Sequence, residues 1–154
     1  MPNEIKWSAL GTFTTAIAGA AVAPTLKALA NAGIKIGNEI DNATTARNMY
    51  ADFDLLCKFQ ANPSVGGYIA LYLVQAVDGT NYADGDDSTT PPTTALVGTF
   101  PVRAVTTAQR VALRHVLLPA TKFKPMVVNL SGQAMTNTDD ENFLSYRAYN
   151  EELQ

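Results

Sequence analysis

The feature that most constrains the fold is an alternation of apolar and polar residues with a period of two, which begins at Ile34 and recurs through the rest of the chain. It is clearest where Phe53, Leu55, Cys57 and Phe59 alternate with other side chains. Because successive side chains of a strand point to opposite faces, this pattern predicts a β-strand with one buried face. Cys57 is therefore expected to be a small core residue, and the chain has no second cysteine with which it could form a disulfide.

The same alternation, separated by turn residues, predicts several further short strands. They are expected at residues 34–40, 68–77, 96–102, 111–117, 126–130 and 143–149. Short strands at regular spacing are typical of an antiparallel β-sandwich, and a jelly roll is the expected wiring. Pro101 indicates a sheet edge or a bulge, because proline cannot donate a hydrogen bond to a neighbouring strand.

The first part of the chain is rich in Ala, Thr and Gly and only weakly patterned. We expect residues 1–33 to be an extended N-terminal arm and residues 34–154 to be the β-sandwich domain. Residues 25–31 have room for a turn or two of helix. The apolar run at 13–23 lacks the positively charged start of a signal peptide and is interrupted by threonines, so we interpret it as part of the arm.

The predicted strand at 68–77 is apolar on both faces. A strand of this kind is either central and covered on both sides by its own fold, or covers the core on one side and contacts a partner on the other. On the second interpretation Ile69, Leu71 and Leu73 are candidates for contacts between copies of the chain.

The composition argues against several classes of partner. Only 16% of the residues are charged, against 47% that are hydrophobic, and the net charge is -3. Lysines and arginines occur singly, so the chain offers no basic surface for nucleic acid or for an anionic membrane. We expect a surface of neutral polar side chains, which is common both where subunits meet and on ordinary β-sandwiches.

The sequence contains no recognisable catalytic pattern, so we expect no enzymatic activity, no bound metal and no cofactor. The single histidine, His115, alternates with apolar residues and is expected to be half-buried in the core. One Cys and one His do not make a zinc site, and no phosphate-binding glycine pattern is present. A glycosidase would need two carboxylates about 5–9 Å apart in a cleft, whereas the acids here lie in loops or next to each other.

A polar loop at 80–94 carries the remaining candidates for ligand binding. Asp84, Asp86 and Asp87 have a spacing found in calcium-binding loops, although a solvated loop tip is the simpler interpretation. Tyr82 could stack against a sugar or could attach the loop to the domain. The other aromatic candidates for a sugar site are Trp7 and Tyr72.

From Trp7 to the C-terminus the chain resembles small virion proteins of tailed bacteriophages. The segments that carry the resemblance are LKALAN (26–31), IGNEIDN (36–42), YADFDL (50–55), ALYL (70–73), DGTNY (78–82), LLP (117–119), NLSG (129–132) and YRAYN (146–150). The resemblance implies a jelly-roll protein that decorates or cements the capsid and assembles in the host cytoplasm. Its partners would be the major capsid protein and copies of itself. The alternative is a tail or baseplate module that binds a glycan or receptor.

A decoration protein must bridge neighbouring subunits, and an extended arm could reach across them. The apolar anchors of such an arm would be Ile5, Trp7, Leu10 and Phe13. Large aromatic side chains are frequent hot spots of protein interfaces. The alternative for Trp7 is that it folds back onto its own sandwich.

Overall fold

A computed structural model of the chain describes residues 5–20, 23–44 and 47–153, in which strands joined by loops form almost the whole fold. The strands are β1 (Ile5–Trp7), β2 (Thr14–Ile17), β3 (Ile34–Ile36), β4 (Ile40–Asp41), β5 (Tyr50–Cys57), β6 (Tyr68–Ala76), β7 (Leu96–Pro101), β8 (Gln109–Leu117), β9 (Lys122–Leu130), β10 (Phe143–Tyr149) and β11 (Glu151–Leu153). Within these ranges, no helix has the length and apolar character needed to cross a membrane.

The strands form two antiparallel sheets that pack face to face. The first sheet has the order β2-β10-β5-β8, and the second has the order β3-β9-β6-β7, with β4 also paired to β9. Most connections between successive strands run from one sheet to the other, and this is the topology of an eight-stranded jelly roll. The predicted fold class is therefore confirmed. Pro101 ends β7, an edge strand, as predicted.

The core lies between the sheets and contains the residues that the alternation marked as apolar. Phe53, Leu55 and Cys57 are fully buried on the inner face of β5, and the residues between them are only partly buried. Burying a large apolar side chain contributes about 1.5–3 kcal/mol, so this face is a main source of stability. Burial raises the pKa of the Cys57 thiol to about 12, which makes it a packing residue.

The predicted boundary between an arm at 1–33 and the sandwich is wrong. Strand β2 belongs to the first sheet, and Ile17, Leu26 and Leu29 lie in the core. Residues 25–31 form turns and a bridge, with no helix. Strand β2 is not recognisable in the sequence, because its residues are small and alternate little between apolar and polar. Strand β1, before β2, lies outside the two sheets and pairs with β11.

The apolar run at 13–23 supplies β2 and continues past it, although Ala21 and Val22 lie outside the described residues. Leu26 N–H donates to the carbonyl of Ala18 at 3.0 Å, and Ala18 N–H donates to the carbonyl of Pro24 at 3.0 Å. These bonds fold the chain after β2 back onto the sandwich and deliver Leu26 to the core.

The interpretation of β6 as a contact between copies is also corrected. Ile69, Leu71 and Leu73 are 0–1% exposed and point into the core between the sheets, where they cannot reach a partner. The opposite face of β6 carries Val74, which is fully buried as well, although it lies outside the main core. The strand is apolar on both faces because its own fold covers both.

The cover on the outer face of the second sheet is the polar loop at 80–94. A Cβ on Gly85 would lie 2.8 Å from Met126 Cε and 3.2 Å from Val74 Cγ2, so the loop backbone rests directly on both side chains. Asp87 forms an ion pair with Lys35, and its Oδ1 accepts a hydrogen bond from the Ile36 N–H at 2.9 Å. The loop is therefore a layer of the fold.

The candidate ligand groups of this loop are engaged in holding it. The Tyr82 hydroxyl donates to Glu39, and Lys124 Nζ lies 4.3 Å from the centre of the Tyr82 ring. Burial and the Glu39 carboxylate raise the pKa of Tyr82 to about 12. Asp86 Oδ1 accepts three hydrogen bonds from Ser88 and Thr89. Among the described residues, no three His, Cys, Asp or Glu side chains are grouped so that they could hold a metal ion.

Candidate functional site

Four aromatic side chains meet at the outer surface of the first sheet. Trp7 lies with its ring centre 6.2 Å from Tyr50, 5.3 Å from His115 and 5.5 Å from Tyr149, perpendicular to each within a few degrees. The rings of Tyr50 and His115 stack on each other at 4.0 Å. We call these four residues the aromatic cluster. They come from β1, β5, β8 and β10, which only the fold brings together.

A β-bulge in β8 orients the side chain of His115 towards this cluster. In the pairing of β5 with β8, Ala51 faces Val116 and Phe53 faces Leu113, so Asp52 faces two residues instead of one. His115 has a positive φ of 57°, a left-handed conformation that costs a non-glycine residue about 1–3 kcal/mol. Bulges commonly redirect a side chain in this way.

The structure contradicts the prediction that His115 is half-buried in the core. His115 is exposed, because the bulge shifts the alternation of β8 by one residue. Its apolar neighbours in sequence indicated an inward position, and an extra residue in one strand is not visible in such a pattern.

Hydrogen bonds to the Asp52 carboxylate fix the positions of His115 and Tyr149 in the cluster. Its Oδ1 accepts from the His115 N–H at 2.8 Å and from the Tyr149 hydroxyl at 3.1 Å. The Tyr149 oxygen also lies 3.3 Å from His115 Nδ1. When the hydroxyl gives its only proton to Asp52, it accepts at His115, and in that tautomer Nδ1 carries the proton. Nε2 is then the ring nitrogen left to bind a ligand.

Desolvation and the nearby Asp52 carboxylate raise the pKa of Tyr149. The hydroxyl is therefore protonated and able to donate throughout the physiological pH range. The bond from Tyr149 to Asp52 accordingly persists, and with it the orientation of the imidazole of His115.

Trp7 folds back onto its own sandwich, which was one of the two alternatives for this residue, and it is anchored by backbone pairing. The Ser8 N–H donates to the Asn150 carbonyl at 2.8 Å, and the Asn150 N–H donates to Ser8 Oγ at 2.8 Å. The side chain of Asn150 accepts from the Met49 N–H at 2.7 Å, just before β5. Trp7 nevertheless remains 55% exposed, so much of the indole faces solvent.

The predicted arm anchors share this high exposure. Ile5 is 71% exposed, Leu10 is 55% exposed and Phe13 is 50% exposed. The ring of Phe13 lies 4.3 Å from Arg147 Cζ on β10. We call Ile5, Trp7, Leu10 and Phe13 the N-terminal row.

The remaining sequence candidates lie elsewhere. Ile69, Leu71 and Leu73 are in the core, and Tyr82 is in the loop that covers the second sheet. Tyr72 lies within β6, also in the second sheet.

A polar cleft of about 570 Å³ opens at the side of the sandwich, between β2 and β4. Asn42 in its wall is already engaged, since its side chain bonds the backbone of Asn48 and Pro119. Asp41 accepts from Ala43 and Thr44 in the same way. Because its polar groups mainly hold its own loops, this cleft is a weaker candidate for a ligand site than the aromatic cluster.

Sequence reasoning identified Trp7 but missed Tyr50, Asp52 and Tyr149. Asp52 and Tyr149 stand in predicted strands, while Tyr50 begins β5 just before the predicted alternation, and all three are at outward positions. An outward polar or aromatic residue is unremarkable by itself, and only the pairing of β5 with β10 shows that these residues are neighbours.

No family model matches the sequence, and no curated protein matches it. Several solved structures are distantly similar, among them three carbohydrate-binding modules. A carbohydrate-binding module CBM36 in complex with calcium and xylotriose is 15% identical with a TM-score of 0.37, and the match covers 98% of this chain and 99% of that chain. A family 6 carbohydrate-binding module from Clostridium cellulolyticum in complex with xylose is 12% identical with a TM-score of 0.34, covering 95% and 91%. A β-1,3-glucan-binding CBM6 from Bacillus halodurans is 13% identical with a TM-score of 0.35, covering 98% and 96%. At these TM-scores the likeness carries no argument about function.

Proposed function

We propose that the chain is a non-catalytic structural protein of a tailed-bacteriophage virion, which decorates the head shell and bridges neighbouring subunits. The resemblance of its sequence segments to small virion proteins supports this. The jelly-roll wiring is compatible with it, since viral capsid domains use that fold, as do lectins.

The observation that carries the proposal is the N-terminal row. Four large apolar side chains within nine residues are all at least half exposed. Exposed apolar residues that stand singly are normal, and a group of them on one surface usually marks a site that a partner covers, so the proposal requires that these four side chains act as one surface. Truncating a buried aromatic anchor at such an interface commonly costs about 2 kcal/mol or more.

The pairing of β1 with β11 makes this surface ready to bind. A free arm would lose chain entropy on docking, while a segment already held by Ser8 and Asn150 has lost most of it on folding. The N-terminal row would therefore contact a shell as a fixed surface of the jelly roll.

The test is co-sedimentation with empty shells built from the matching major shell protein. We expect saturable binding at symmetry-related sites, weakened at least about tenfold when Leu10 and Phe13 are both replaced by Ser. The matched control is Val65→Ser, because Val65 is 97% exposed and lies far from the row in sequence. Failure of the unaltered protein to bind shells would contradict the proposal.

A second candidate function is a tail or baseplate module that binds a glycan. The aromatic cluster favours it, because sugar rings bind to exposed aromatic side chains beside hydrogen-bonding groups. The sequence pointed to Tyr82 for this role, but that side chain is occupied in holding its loop.

A further inference from the structure

We propose that the aromatic cluster and Asp52 form a saccharide-binding site that takes one neutral sugar ring against Trp7. This inference rests on the second candidate function, and it assigns that function a position, a ligand class and the atoms that bind.

The apolar part of the site is the exposed indole of Trp7. Its ring contacts Tyr50, His115 and Tyr149, and more than half of its surface still faces solvent. Three rings at right angles to the indole fix its position. A sugar that packs its C–H groups on the indole therefore meets a ring that is already held in place.

The polar part of the site lies directly beside the indole. His115 Nδ1 is committed to the Tyr149 hydroxyl, so Nε2 is available to a ligand hydroxyl. Both bonds to Asp52 are made at Oδ1, which leaves Oδ2 as the oxygen that would accept from a ligand. An aromatic surface beside a small number of placed acceptors is the usual composition of a specific small-molecule site.

The backbone at His115 adds a third, independent observation. A positive φ in a residue other than glycine is unfavourable, and such strain is kept where the surrounding structure fixes it, often at ligand sites. Here the Asp52 carboxylate holds the His115 N–H, and the bulge turns the ring outward onto Tyr50.

The charges around the site favour a neutral ligand. Arg147 stands opposite Asp52 in the register of β10 with β5, so a cation and an anion lie side by side. Arg114 precedes His115 and is exposed. A neutral, hydroxyl-rich ring is compatible with both charges, whereas a charged sugar would be attracted by one group and repelled by the other.

Trp7 is the only tryptophan in the chain, so intrinsic fluorescence reports directly on the site. The probes are soluble neutral oligosaccharides of glucose, xylose, galactose, mannose and N-acetylglucosamine. Each is titrated to about 50 mM, well above the roughly millimolar Kd of a weak ligand. We expect at least one of them to change the intensity or wavelength of the emission with a saturable dependence.

The decisive variant is His115→Gly. Glycine accepts the positive φ without strain, so the bulge should persist while the imidazole is lost. We expect saccharide binding to weaken at least about tenfold with no loss of thermal stability. Tyr82→Phe is the matched control, because it changes an aromatic residue in the loop over the other sheet and should leave binding unchanged.

Two outcomes would overturn the inference. One is that none of the oligosaccharides changes the fluorescence of the unaltered protein, and the other is that binding persists in His115→Gly. Leu10→Ser removes a side chain of the N-terminal row and leaves the contact of Phe13 with Arg147 in place, so it should weaken shell binding and leave saccharide binding intact. Loss of shell binding therefore tests the decoration proposal alone, and loss of saccharide binding tests this site alone.

Discussion

The outer faces of the two sheets differ in how they are covered. On the second sheet, Val74 and Met126 are fully buried beneath the loop at 80–94. On the first sheet, Trp7 and His115 are exposed to solvent, although both are held by specific contacts. One face is completed by the chain itself, and the other presents ordered side chains to the outside.

This difference reverses the interpretation that apolar patterning alone suggests. The strongly apolar strand β6 looked like a contact surface, yet its own fold uses both of its faces. The polar and aromatic outward positions of β5 and β10 looked ordinary, yet they build the aromatic cluster. A surface available to other molecules is better identified by exposed rings that are held in place than by the apolar content of a strand.

The largest difference between the two outer faces is expected when a charged side chain is placed on each of them. We expect Val74→Lys to lower the free energy of unfolding by about 4 kcal/mol or more, because it buries an unpaired charge beneath the loop. Ala112→Lys, on the exposed outer face of β8, should change it by less than about 0.5 kcal/mol. Urea unfolding followed by circular dichroism measures both values.

If Val74→Lys proves nearly as stable as the unaltered protein, the loop at 80–94 does not exclude water from the second sheet. The face of β6 would then be open to partners, as its sequence first suggested. Hydrogen exchange of the amide groups of the loop in the unaltered protein provides an independent check of this cover.

A smaller effect is expected at the bulge of the first sheet. His115→Ala keeps the positive φ without the ring contacts, while His115→Gly relieves the strain. We expect the glycine variant to be more stable than the alanine variant by about 1 kcal/mol, the reverse of their usual order within a strand. Thermal unfolding of the two variants side by side measures the difference. A more stable alanine variant would show that the left-handed conformation is absent.

The alternation of β5 predicted that strand and the burial of Cys57, and the apolar run bounded by turn residues predicted β6, with boundaries correct to within a few residues. These properties depend on side-chain periodicity, which a sequence displays directly. The small residues of β2 carry little of that signal, so the strand was interpreted as part of an arm.

The candidate site could be predicted only in part. Trp7 is conspicuous as the only tryptophan, but its contacts depend on the pairing of β1 with β11, near the two ends of the chain. The position of His115 depends on one extra residue in β8, which inverts the inward and outward sides beyond it. Long-range pairing and bulges are not visible in local patterns.

The smallest expected effect is a response of the loop at 80–94 to acid. The N–H groups of Ser88 and Thr89 and the Ser88 hydroxyl lower the pKa of Asp86 to about 2. A carboxyl whose pKa is lowered on folding stabilises the fold above its unfolded pKa of about 3.9, and this contribution is lost as the pH falls towards 2. We therefore expect the Ser88 and Thr89 amide signals to shift near pH 2 in an NMR titration and to lose this transition in Asp86→Asn.

Asp78, whose pKa is also lowered to about 2 by the N–H groups of Asn81 and Thr80, should still titrate in that variant. If the Ser88 signal shifts near pH 4 instead, Asp86 does not hold the loop, and the cover of the second sheet depends on the contacts of Asp87 and Tyr82 alone.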